Sequence, residues 1–144
     1  MSEEPPNSET NEGASPARHY PMAEGQTRHV LPISMMRRVG TTLYVPGHGA
    51  VNERGEFVSD TFEGQMRWTM EQLQATLAQG GASLADVVMV RGYVQNPANL
   101  PLYNRLYREY FAEPYPARTT IVNCLPPGLE FEIDCVLEKK DLTK

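Results

Sequence analysis

The segment LEFEIDCVLE, residues 129–138, constrains the fold more than any other stretch. Leu129, Phe131, Ile133, Cys135 and Leu137 alternate with Glu130, Glu132, Asp134, Val136 and Glu138. Successive side chains of a strand point to opposite faces, so one row belongs in a core and the other faces water or another subunit. A sheet built from such strands is covered by helices on one side and left bare on the other.

Two helices supply that cover. Asp60 followed by Glu63 reads as a capping box for a helix over roughly 61–79. Phe62, Met66, Met70, Leu73 and Leu77 lay one apolar stripe along it, and Gly80 and Gly81 end it. Asn99 caps a second helix with Pro101 in its first turn. Leu102, Leu106 and Tyr110 form its expected inner face, beside Tyr103, Tyr107 and Phe111, and Pro114 and Pro116 stop it. Between the helices DVVMVRGYV, 86–94, is a β-branched run that predicts a buried strand.

From Met35 to Val45 the apolar positions predict two short strands broken at Gly40. PGHG, 46–49, reads as a turn or a place of close backbone approach, and NERGEF, 52–57, as a polar turn. PARTTIV and LEFEIDC read as a hairpin over Pro126-Pro127-Gly128. The order β-β-(β)-α-β-α-β-β gives one α+β domain over residues 28–144, with a mostly antiparallel six-stranded sheet and both helices on one face. Residues 1–27, rich in Pro, Glu, Ser, Asn and Gly, predict a flexible tail.

Composition narrows the function. The chain of 144 residues is long enough for one sizeable core, and its net charge of −5 argues against a nucleic-acid partner. No signal peptide and no apolar run long enough to span a bilayer is present, so the expected setting is cytoplasmic, away from membranes. Cys124 and Cys135 lack metal-ligand spacing and read as ordinary reduced thiols.

The chemistry-bearing residues are Arg118, which opens a strand otherwise apolar in character, and the acids of the last strand. A guanidinium offers a planar fork that binds a carboxylate with two parallel hydrogen bonds. A carboxylate of that strand can activate water as a general base, weighed against an acidic row that is only a solvated face. His48 titrates nearest neutral pH and is a further catalytic candidate, weighed against a satisfied turn histidine.

VGTTLYVPGHG, GGASLADVVMVRGYV, YNRLYREYF and PARTTIVNCLPPGLEFEID together resemble the Rid (reactive intermediate deaminase, or YjgF) family over roughly residues 35–140. The resemblance implies a chorismate-mutase-like fold and a homotrimer with the bare sheet faces at its centre. It also implies clefts between subunits that contain the arginine and the glutamate matching Arg118 and Glu132. Asn104 matches a cleft-lining residue, and Gly47 a glycine whose backbone approaches the ligand. The implied reaction adds water to a small imine or enamine acid, with release of ammonia and a 2-keto acid and with neither cofactor nor metal. Four positions depart from the pattern. Pro46-Gly47-His48 stands where the family tends to carry Ser-Gly-Gln, Ile33 where a tyrosine is common, and Thr120 at a substrate-lining position two after the arginine. The alternatives are a larger, pathway-specific substrate (2-aminomuconate-type deamination, for example) and a non-enzymatic trimeric module that binds a small molecule.

Overall fold

The computed structural model describes residues 31–140; the expected tail, 1–27, and the last residues, 141–144, lie outside the described residues. The elements are β1 (Arg37–Val39), β2 (Thr42–Gly49), α1 (Phe62–Gln79), β3 (Val87–Val94), α2 (Leu100–Tyr110), β4 (Ala117–Val122) and β5 (Phe131–Glu138). Both helices lie on one face of a sheet ordered β1-β2-β5-β3-β4. All neighbours are antiparallel except β3 and β4, which are parallel.

The sheet therefore has five strands among the described residues, where six were expected. The missing one is reduced to a single bridge, Val51–Phe57. Between them the Asn52 side-chain oxygen accepts from the amides of Arg54 (2.9 Å) and Glu56 (3.0 Å), a local turn that competes with ladder formation.

The expected hairpin is also absent. β5 lies on one side of β3 and β4 on the other. A strand–helix–strand connection delivers parallel strands, and α2 is that connection between β3 and β4. Residues 123–130 then cross the end of β3, pinned by Gln95. Its carbonyl accepts from the Asn123 amide (3.2 Å) and its side-chain oxygen from the Leu125 amide (2.7 Å).

PGHG lies inside β2 rather than in a turn. Pro46 cannot donate to a ladder, and the register between β2 and β5 shifts between Val45 and His48. This bulge adds a residue on the bare side, so Val45 and His48 both point toward the helices.

The stripe of α1 is buried as expected, but its cap is Thr61, whose hydroxyl accepts from the Gly64 amide at 3.0 Å. The helix ends in a Schellman motif. The Ala82 amide reaches the Leu77 carbonyl, the Gly81 amide reaches that of Ala78, and Gly81 takes φ +75°. In α2 the buried face is Tyr103, Leu106 and Tyr107. Leu102 and Tyr110, expected inside, are only partly covered. The helix is rotated because Gly92 leaves a vacancy on β3 that the Tyr103 ring fills; a Cβ built on Gly92 would overlap the Tyr103 hydroxyl.

That fit is testable. Gly92→Ala should destabilise the fold by about 1–3 kcal/mol, as overpacking does. Adding Tyr103→Phe should restore part of the loss in chemical denaturation. Equal stability of Gly92→Ala and the parent would show that the tyrosine is not wedged there.

Candidate active site

Arg118, the second residue of β4, turns its side chain to the helix-covered face. Its Cζ lies 4.8 Å from the centroid of Tyr103 and 4.7 Å from that of Tyr107. Nη2 donates to Asn104 Oδ1 at 2.8 Å, which fixes the Asn104 amide. Tyrosines four residues apart share a helix face, with Asn104 between them in sequence, so one turn of α2 holds the guanidinium from three directions. Two cation–π contacts and one charge-assisted bond orient it without neutralising it. Arg118 also lines a cavity of about 230 Å³, together with Asn104, Tyr107, Arg108, Tyr115 and Pro116. Two guanidiniums on its wall suit an anion.

Thr120 lies two residues along β4, half-buried and paired with Gly92. Burial raises the Tyr103 hydroxyl above its ordinary pKa, while Arg118 and Thr120 pull it back. No hydrogen bond of normal geometry reaches that hydroxyl among the described residues, so the influence of Thr120 is that of a neighbouring dipole.

Glu132 is on the other face of the sheet. It alternates with Phe131 and Ile133, which are buried beneath the helices, and it pairs with Gly49 and Tyr93. Its carboxylate occupies the space over Gly47, where a built Cβ would overlap Oε2. Burial, with Asp134 adding to it, pushes the Glu132 carboxyl up to about 8. Asp134 itself accepts from Arg91 Nε (2.9 Å) and from the Tyr93 hydroxyl (2.7 Å).

Arg118 pairs with Val90, and Val90 with Cys135, three residues beyond Glu132. Two inter-strand steps and three residues place the two Cα atoms roughly 14 Å apart, on strand spacings of about 4.8 Å and rises of about 3.3 Å. With their side chains on opposite faces, one chain does not bring the pair together. It assembles Arg118, Asn104 and Thr120 on one face and Gly47 and Glu132 on the other.

His48 joins neither group. The bulge turns it into the core, where it is fully buried. Nδ1 donates to the Pro46 carbonyl and Nε2 pairs with the Thr76 hydroxyl, each at 2.9 Å. It ties β2 to α1 from within a strand rather than from the expected turn. Tyr103, Tyr107 and Arg108 were missed as site residues. Aromatic residues spaced by four beside a candidate Asn were the available signal, but only the docking of β4 against α2 gives them a cation to hold.

The Endoribonuclease L-PSP family model matches residues 27–139. The chain belongs to this family, the Rid or YjgF family. A RutC family protein of Pyrococcus abyssi is 31% identical over 126 residues, covering 86% of this chain and 99% of that one. A protein of Dermatophagoides farinae named 2-iminobutanoate/2-iminopropanoate deaminase is 31% identical over 108 residues, covering 74% and 84%. Among solved structures, RidA from an Antarctic Psychrobacter superposes with a TM-score of 0.69 at 26% identity, over 84% of this chain and 99% of that one. The α+β fold with a mixed sheet is thus that of Rid proteins. No helix among the described residues is long and apolar enough to cross a membrane.

Proposed function

We propose that the protein is a hydrolytic deaminase of imine and enamine acids, acting as a homotrimer whose site is completed between subunits. Arg118 of one subunit binds the substrate carboxylate, and Glu132 of the next handles the water. The observation that carries this reading is the opposed placement of a held guanidinium, with no carboxylate partner among the described residues, and a carboxyl with raised proton affinity. Each half is prepared for chemistry that it cannot complete within its own chain. The name of the Dermatophagoides relative adds weight.

The reaction needs few steps. Arg118 takes the carboxylate through its fork, with Asn104 fixing the guanidinium plane. Ionised Glu132 accepts a proton from water as the oxygen adds to the imine carbon, and the C=N π electrons move to nitrogen. Protonated Glu132 returns a proton to the amine. As the C–N bond breaks, the hydroxyl proton passes by way of the Glu132 carboxylate to the leaving nitrogen, ammonia departs, and the carbonyl of a 2-keto acid forms. A carboxyl with pKa near neutrality suits both transfers. The carbon is already electrophilic as an imine, so the scheme calls on no metal or cofactor. The family description names a ribonuclease, but a net charge of −5 is poorly matched to an RNA backbone.

Ammonia release from imine acids generated in situ from their amino acids tests the reading. The protein should speed hydrolysis well above buffer. Rates equal to buffer, with ligand binding intact, would support the non-enzymatic binding module instead.

A further inference from the structure

The cavity beside Arg118 holds a second cation that the proposed reaction leaves unused. Arg108 stands four residues after Asn104 on α2, so the two side chains leave the same face of the helix. Arg108 Nη1 donates to the Asn104 carbonyl oxygen at 3.3 Å, while Arg118 Nη2 donates to Asn104 Oδ1 at 2.8 Å. Both guanidiniums are thus tied to one asparagine, one through its backbone and the other through its side chain. The two bonds and the span of a single residue keep the bonded nitrogens within roughly 11 Å of each other, close to the Debye length of about 10 Å at 0.1 M ionic strength.

Charge around this cavity is one-sided. The chain carries 18 acidic residues against 13 Lys and Arg, a net charge of −5, yet no carboxylate among the described residues lines the cavity. Glu109, next to Arg108 in sequence, is turned away to Arg67, whose Nη1 donates to it at 3.0 Å. Glu63 is engaged by the same arginine at 2.9 Å. An acidic protein thus keeps a small positive region at its candidate site, which draws anions toward it against the overall charge.

The two arginines differ in how they are held. Arg118 is gripped by the Tyr103 and Tyr107 rings and by Asn104, so its fork has a fixed plane. Arg108 is exposed and held by one long bond to a backbone oxygen. A fixed fork selects geometry, whereas a loosely held guanidinium contributes charge without a defined contact.

We propose that Arg108 is the capture residue of the site: its charge draws the substrate carboxylate into the cavity, and Arg118 then holds it in the reacting geometry. This assignment rests on the deaminase reading for the chemistry and adds the residue that governs uptake of the acid. An exposed charge acts through its potential, so Arg108 sets affinity and its salt dependence and leaves the chemical step to Arg118 and Glu132.

Calorimetry with the stable keto acid 2-oxobutanoate reads capture without turnover. It is run on the full chain at about 0.01 M and about 1 M salt, where the Debye length is roughly 30 Å and roughly 3 Å. Arg108→Gln should weaken binding about three- to ten-fold at the low salt, and the loss should nearly vanish at the high salt. Arg108→Lys should bind as the parent does, because a point charge suffices there. Arg105→Gln removes another exposed charge of α2 that does not line the cavity, and should change the affinity far less. With imine acids, Arg108→Gln should raise KM and leave kcat unchanged. Equal loss at both salts, or no rescue by lysine, would overturn the proposal by making Arg108 a contact of fixed geometry. An equal effect of Arg105→Gln would overturn it by making the effect one of net charge, and a fall in oligomeric mass by making Arg108 a subunit contact. No binding of 2-oxobutanoate by the parent would sink the carboxylate site and the part of Arg108 in it. The expected salt pattern without ammonia release from any imine would sink the deaminase reading and leave the capture site standing.

Discussion

Arg118→Ala should lower activity per folded molecule by about ten- to a hundred-fold, since a charge-assisted hydrogen bond contributes roughly 1.5–3 kcal/mol and each ten-fold is about 1.4 kcal/mol. Its effect on stability should be small. The side chain is exposed, and what the fold loses is two surface cation–π contacts and one bond to Asn104. Arg118→Lys should rescue little, because an ammonium cannot present the fork. Single-turnover rates and denaturation curves on the same variants check this. A large stability loss with unchanged activity would make Arg118 a strut between β4 and α2.

Glu132→Gln should cost more. Positioned general bases contribute about 10²–10⁴-fold, and an amide cannot accept the proton. Keto-acid binding should survive, because the shape over Gly47 is kept. The same variant should change the response to pH in a defined direction. Glu132 has its pKa raised from 4.5 to about 8, so the folded chain holds a proton there that the unfolded chain has released. Stability from this group is therefore full below 4.5 and falls as pH climbs toward 8. Glu132→Gln should flatten that fall. The parent rate should rise over the same range as the base ionises. A parent and variant with parallel stability curves would contradict the raised pKa.

Much of the architecture was legible because it is written in short-range periodicity. The alternation through β5, the stripe of α1 and its Gly80-Gly81 end need no knowledge of distant partners. Strand pairing does. Pro126-Pro127-Gly128 looks like a hairpin turn, yet α2 commits β4 to a parallel place on the far side of β3, and β5 must pass to the other side. That one topological fact puts β3 between Arg118 and Glu132, which a hairpin would have placed on adjacent strands. His48 was misplaced for a related reason. One bulged residue at Pro46-Gly47 reverses which face the next side chains take, and a bulge has the same Gly and Pro signature as a turn. The Tyr103–Gly92 fit was hidden because a vacancy on a strand has meaning only beside the ring that fills it.

The central claim is that each site takes Arg118 from one subunit and Glu132 from its neighbour. Mixing two disabled variants, Arg118→Ala and Glu132→Gln, tests it most directly. The two are coexpressed in equal amounts, with a tag on one to confirm mixed oligomers. In a closed ring of heterologous interfaces about one cleft in four then receives both intact residues. Activity should recover to about a quarter of the parent value under this symmetry. Mixed oligomers no more active than either variant alone would contradict the account.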